Sequence, residues 1–280
     1  MALPVLKPLG ERLGHAPDAR LLIVNCDDLG SSGSANRAIA HVLAEGAATS
    51  ATLMVPCPWA LDGVEKGRAG GIGVHLTLTC EYPAYRWRSL TAAASLHDAQ
   101  GFMPATIQEV WSRARLEDVR AECRAQIDQA YAWGVDVTHL DAHMGTMQLD
   151  PRYHAIFLEL AAQYRLPVRM FGAAAEQMFG IPARADAAAA GVLGPDHMID
   201  LWGRPAGTLE AKLAGLRPGV TELFFHPVED GPELRGYDPK EADIRVSDYA
   251  AMLSGAFREQ VAASATLISF AALRDLQRAA

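Results

Sequence analysis

The stretch LLIVNCDDLG, Leu21 to Gly30, carries an apolar run directly into two adjacent carboxylates, Asp27 and Asp28. An apolar run closed by a glycine reads as a buried β-strand. It leads into SANRAIAHVLAEG, where Ala35, Ile39, Val42 and Leu43 recur at helical spacing and Gly46 supplies the stop. Strand then helix is one βα unit, and the alternation continues along the chain. Further strands are read in SATLMVP, GIGVHLTLT, VTHLDAH, LPVRMFG, HMIDLW, VTELFFHP and TLISF. Between them lie helical patterns over Trp59 to Lys66, Ile107 to Trp133, Pro151 to Tyr164, Leu209 to Leu216 and Val246 to Ala262, with an Ala-rich stretch before HMIDLW. Seven or eight such units imply parallel pairing through right-handed crossovers. The expected fold is therefore α/β, a (β/α) barrel-like sheet, closed or nearly closed, built by residues 1–280 as a single catalytic domain. The length suits a barrel, which typically takes about 250 residues. A dinucleotide fold loses its main support, because no G-x-G-x-x-G follows the first strand.

Composition narrows the class. The chain is 50% hydrophobic with a formal net charge of -8, and its basic residues are scattered. Nucleic acid and anionic membrane surfaces both require clustered Lys and Arg, so neither is an expected partner. No run of about 18 apolar residues is free of charge, which removes the membrane-spanning reading. The N-terminal MALPVLKPLGERLGHAPDAR has prolines and charges but no apolar centre, so no signal peptide is read there. Cys26, Cys57, Cys80 and Cys123 form no C-x-x-C pair and no regular spacing. Free thiols in a reducing compartment are expected, and the cytoplasm is the expected location. A homodimer is expected from the frequency of symmetric assemblies among enzymes.

Polar residues fall where parallel α/β folds place their sites, at the strand ends. Asp27 and Asp28 close the first strand, His75 lies late in GIGVHLTLT, Asp141 and His143 end VTHLDAH, Arg169 lies near the end of LPVRMFG, and His226 ends ELFFHP. Taken singly, an Asp-Asp pair reads as a solvated turn or helix cap, and a lone histidine as a satisfied core residue. Their convergence points to a site. Two imidazoles and one carboxylate can hold a divalent ion and leave positions open for water and substrate, which assigns Asp28, His75 and His143 as ligands. Asp27 is then free to take a proton from water. His139 reads as structural, hydrogen-bonding behind the ligands. His15, His41, His97, His154 and His197 read as surface residues. Cys26 reads as a small buried strand residue rather than a soft ligand. Tyr82, Tyr85 and Trp87 fit either sugar stacking or ordinary loop packing.

The ordered motifs VNCDDLG, ATSATLMVPCPWA, IGVHLTLT, THLDAH and ELFFHP resemble those of the YdjC-like carbohydrate deacetylases, which include chitooligosaccharide and hopanoid-sugar deacetylases; the likeness runs from Leu22 to Pro227. It implies a barrel-like fold related to the polysaccharide deacetylases and a divalent ion on one Asp and two His. Carried over by position, the ligands are Asp28, His75 and His143, the base is Asp27 and the acid is His226. One departure stands out: where the family often continues with further histidines, this chain has Met144, Gly145, Thr146 and Met147. The resulting expectation is a metal-dependent hydrolase that removes the acetyl group from an N-acetylated sugar, with Arg169 orienting Asp27. The ion expected is Mg or Zn, then Mn, Co or Ni. Two other readings stay open: a metal-dependent esterase or phosphoesterase acting on a small metabolite, and a non-catalytic carbohydrate-binding relative.

Overall fold

The computed structural model describes residues 7–204 and 207–279, so the first part of the stretch searched for a signal peptide lies outside the described residues. Its centre is a parallel sheet of seven strands: β1 (Arg20–Leu29), β2 (Ser50–Leu53), β3 (Gly71–Leu76), β4 (Leu140–Ala142), β5 (His197–Asp200), β6 (Gly219–Phe225) and β7 (Thr266–Leu267). They pair in the order β4-β3-β2-β1-β6-β5, and β7 adds to the start of β1. Leu21, Leu22, Ile23 and Val24 of β1 are all buried, as expected of a strand covered on both faces.

The stretch LPVRMFG is not a full strand. It makes a single parallel bridge, Val168 to Leu140, because Pro167 has no N–H to continue a ladder. The segment still spans the gap from β4 toward β5. The Pro167 carbonyl accepts from Leu140, Arg169 N–H donates to the Leu140 carbonyl, and Val168 N–H donates to the Leu193 carbonyl on the way into β5. The barrel-like parallel sheet expected from the alternating pattern is therefore present, and this short segment is the seam between its β4 and β5 edges.

Helices sit outside the ring where the apolar spacing places them. Gly33–Ala44 begins at Ser32, whose hydroxyl accepts from Ala35 N–H, and buries Ala35, Ile39, Val42 and Leu43 against the sheet. Pro151–Tyr164 has the predicted limits, started by the Asp150 cap and Pro151 in the first turn. Two long patterns are each broken in two. Ile107–Arg113 and Leu116–Ala132 part at Ala114 and Arg115, both extended, with Arg115 N–H donating to Ser95. Ala242–Leu253 and Gly255–Ser264 part at Ser254, whose hydroxyl caps the second helix. At Ser254 side-chain capping won over an unbroken helical period.

Candidate active site

At the C-terminal end of β1 the pairing register with β2 shifts between Cys26 and Leu29, the mark of a bulge, and Asp28 takes a left-handed φ of 65°. Along a regular strand Asp27 and Asp28 would point to opposite faces. The bulge and the positive φ break that alternation, so both carboxylates reach one cavity. Gly30, with φ of 89°, completes the turn where a Cβ would press on Ala60 at 3.0 Å.

The cavity, about 390 Å³, is of small-ligand size and is walled by the ends of β1, β3, β4 and β6. All six side chains singled out in the sequence as catalytic or ligating, Asp27, Asp28, His75, His143, Arg169 and His226, line it. Asp28 Oδ1 lies 3.5 Å from His75 Nε2 and 3.3 Å from His143 Nδ1. That oxygen is buried and makes no aligned hydrogen bond. Donors bound to one ion at about 2.0–2.2 Å are separated by roughly 3–3.5 Å, so these spacings suit a shared cation. Asp28, His75 and His143 therefore form a group able to hold a metal ion.

Each imidazole has a carboxylate behind it. His75 Nδ1 is 2.9 Å from Asp141 Oδ2, and His143 Nε2 is 3.1 Å from Glu81. Such partners fix ring orientation and leave the other nitrogen facing Asp28 Oδ1. Burial pushes the His143 imidazolium down, but Glu81 and Asp28 outweigh it and raise it to about 10. Burial likewise opposes the Asp28 carboxylate, while His143 and Arg245 hold its pKa well below the usual range. A second triple, Asp27, His75 and Asp141, also has close donors, but Arg169 already occupies it.

Arg169 is the hub of the floor. Its Nη1 and Nη2 donate to the two oxygens of Asp27 at 2.5 and 2.7 Å, Nη1 also lies 2.5 Å from Asp141 Oδ2, and Nε donates to Glu222 at 2.9 Å. One guanidinium thus faces three buried carboxylates. Burial raises Glu222 to about 7, only partly offset by Arg169. His226 stands at the mouth, its side chain 17% exposed and Nε2 3.7 Å from Asp27 Oδ2. Its backbone N–H donates to Asp248, and Trp202 meets its ring edge-on at 4.5 Å. Burial presses the imidazolium down to about 4 against the pull of Asp28 and Asp27.

A model of the YdjC-like proteins matches residues 21–263. The chain belongs to the YdjC-like family. A carbohydrate deacetylase of Thermus thermophilus is 37% identical over 243 residues, 83% of this chain and 88% of the relative. One from Halalkalibacterium halodurans is 36% identical over 223 residues, covering 78% and 80%. A solved structure from Enterococcus faecalis, described as that of a candidate cellobiose-phosphate cleavage protein, superposes with a TM-score of 0.79 at 23% identity, covering 91% of this chain and 99% of that one. It supports the fold of this YdjC-like chain.

Other sequence readings fare variously. His139 is structural, but it is hydrogen-bonded to Thr138 and stacked on Phe270 at 3.7 Å, and its partner is not a ligand. Tyr82 and Trp87 are packed edge-on in a buried aromatic cluster, and the Tyr85 hydroxyl donates to the Ser31 carbonyl; they are loop packing. His154, read as surface, is buried because the inward face of Pro151–Tyr164 carries it. His197 begins β5 rather than a helix or loop. All four cysteines are free and buried, and burial raises the Cys26 thiol, with Asp27 adding to the effect. Among the described residues no helix is long and apolar enough to cross a membrane.

Four residues had no role assigned from the sequence: Glu81, Asp141, Glu222 and Arg245. Asp141 was visible as a strand-end acid, and Glu222 as a charge inside an apolar strand, which demands a partner. Glu81, in the loop after β3, and Arg245, in helix Ala242–Leu253, carry no such local signal.

Proposed function

We propose that this YdjC-like protein is a metal-dependent hydrolase that removes the acetyl group from an N-acetylated amino sugar or oligosaccharide. The observation that carries the reading is the convergence of the Asp28, His75 and His143 group with Asp27 and His226 in one cavity, in a chain whose close relatives are named carbohydrate deacetylases. Asp28 Oδ1, His75 Nε2 and His143 Nδ1 would hold a divalent ion. The chemistry it supplies when bound is Lewis acidity, which polarises the acetyl carbonyl and lowers the pKa of water toward about 7.

The chain's own groups manage the protons. Asp27, fixed by the Arg169 fork, accepts a proton as water attacks the carbonyl carbon. His226 starts neutral, so the proton it gives to the departing nitrogen must arrive during the reaction. Asp27 Oδ2 and His226 Nε2 lie 3.7 Å apart, longer than a hydrogen bond, so that transfer runs through one bridging water. The C–N bond breaks, the water oxygen stays in acetate, and the free amine leaves with the proton from His226. Protonation matters because an amine anion is a very poor leaving group.

The test is acetate release from N-acetylglucosamine, chitobiose and a lipid-linked N-acetyl sugar, with metal-stripped and reloaded protein. Metal-dependent acetate from one of them supports the reading; a panel blank in both forms, despite stoichiometric metal uptake, overturns it in favour of ester or phosphoester hydrolysis.

A further inference from the structure

Asp28 has two oxygens, and they face different partners. Oδ1 points between His75 and His143. Oδ2 accepts from Arg245 Nη1 at 2.8 Å. Arg245 is itself held on every side: Nε donates to Asp238 Oδ2 at 2.9 Å, Nη2 donates to the Tyr82 hydroxyl at 3.0 Å, and the guanidinium lies over the Trp202 ring at 5.2 Å. Arg245, Asp238 and Tyr82 are all buried, with Tyr82 brought from a loop 163 positions away from Arg245.

We propose that Arg245 is a positioning residue that makes Asp28 a one-oxygen ligand. With Oδ2 committed to the guanidinium, a single oxygen remains for the ion, and coordination positions that a two-oxygen carboxylate would fill stay open for water and the acetyl carbonyl. The arrangement also accounts for the backbone. A left-handed φ at a non-glycine residue is disfavoured and persists where the surroundings over-determine it. Here His75 and His143 on one oxygen and Arg245 on the other define where the carboxylate must lie. Tyr82 and Asp238 keep the long arginine side chain from swinging into the cavity it lines. A lysine could supply one donor to Oδ2 but could not also bond Asp238 and Tyr82 in the same plane.

The inference rests on the metal reading of the site, and its test separates the two. Cobalt(II) is loaded into the wild type, Arg245→Met, Arg245→Lys and Asp238→Asn, and visible absorption, cobalt affinity and acetate release are recorded. Cobalt absorbs more weakly as its coordination number rises. Arg245→Met frees Oδ2, so its band should weaken relative to wild type and turnover should fall by about 10- to 100-fold. Arg245→Lys should recover part of both, and Asp238→Asn should shift both in the Met direction by less. If Arg245→Met does not fold, the Lys and Asn variants carry the same comparison. An unchanged spectrum in folded variants overturns the proposal, and if turnover falls all the same, Arg245 acts on substrate instead. A wild type that takes up no cobalt overturns the metal reading along with it.

Discussion

Replacing Glu222 by glutamine should make the protein more stable, and only above a particular pH. Glu222 is fully buried in β6, with Oε1 accepting from Arg169 and Oε2 without a partner. Burial raises its pKa from 4.5 to about 7, against the opposing pull of Arg169. A group whose folded pKa lies above its unfolded value contributes fully below the unfolded pKa and loses that contribution as pH rises through the folded one. For Glu222 the loss runs from about pH 4.5 to above 7. At about 1.4 kcal/mol per pKa unit, ionising this group in place costs about 3 kcal/mol by pH 8. Glutamine copies the protonated acid: its carbonyl oxygen can still accept from Arg169, and its amide stands where the unpartnered oxygen was. The variant should therefore match wild type at pH 5 and exceed it at pH 8. At roughly 2–4 °C per kcal/mol for a chain of this size, the difference in Tm should be about 10 °C. Thermal melts of both proteins across pH 5 to 8 decide it. A difference that stays flat with pH, or variant destabilisation that grows toward pH 8, refutes the reasoning.

Other consequences are equally direct. Asp27→Asn and His226→Ala should each cut acetate release by about 10²- to 10⁴-fold while leaving metal content near stoichiometric, checked by kinetics beside elemental analysis; full activity in either removes that residue's proton-transfer role. Because His143 is raised to about 10 by Glu81 and Asp28, a metal ion binding at pH 8 must displace its proton. Calorimetry in buffers of different ionisation enthalpy should count about one proton released, and fewer for Glu81→Gln. Gly73→Ala should lower Tm, because its new Cβ would sit 2.4 Å from the His139 ring, which is stacked on Phe270 and has nowhere to retreat. Overpacking of this kind costs about 1–3 kcal/mol, and an unchanged melt would show that the ring can yield.

What could be read from sequence was whatever is local. The strand ends carrying Asp27, Asp28, His75, His143 and His226 announce themselves because polar residues interrupt apolar runs, and a parallel sheet gathers such ends on one rim. The seam at Val168 was misread as a strand because an apolar run carries no record of how many ladder bonds Pro167 removes. Ser254 could have been recognised, since a serine before an apolar turn is a helix start. Arg169 and Glu222 were open to a stronger inference than was made: opposite charges within two buried apolar runs must find each other. Arg245 was out of reach, since its partner lies 217 positions away and nothing in helix Ala242–Leu253 distinguishes it from a solvated arginine.

The adjacent pair Asp27 and Asp28 shows how the fold gives like residues unlike work. Both are buried carboxylates one position apart, and neither could stay ionised there without compensation. The compensation comes from opposite directions. Arg169, from the seam beside β4, takes both oxygens of Asp27 in a fork that leaves its orientation fixed and one edge toward His226. Arg245, from the far end of the chain, takes one oxygen of Asp28 and leaves the other facing two imidazoles. The bulge and the left-handed turn at Asp28 are what allow two neighbouring side chains to meet two different arginines around one cavity. Exchanging the two environments would require moving the bulge, because a one-residue shift in register would carry both carboxylates to the other face. The order of Asp27 and Asp28 along the strand is therefore tied to the register of β1, and register is held by the seven-residue ladder to β6, from Arg20 paired with Gly219 to Cys26 paired with Phe225.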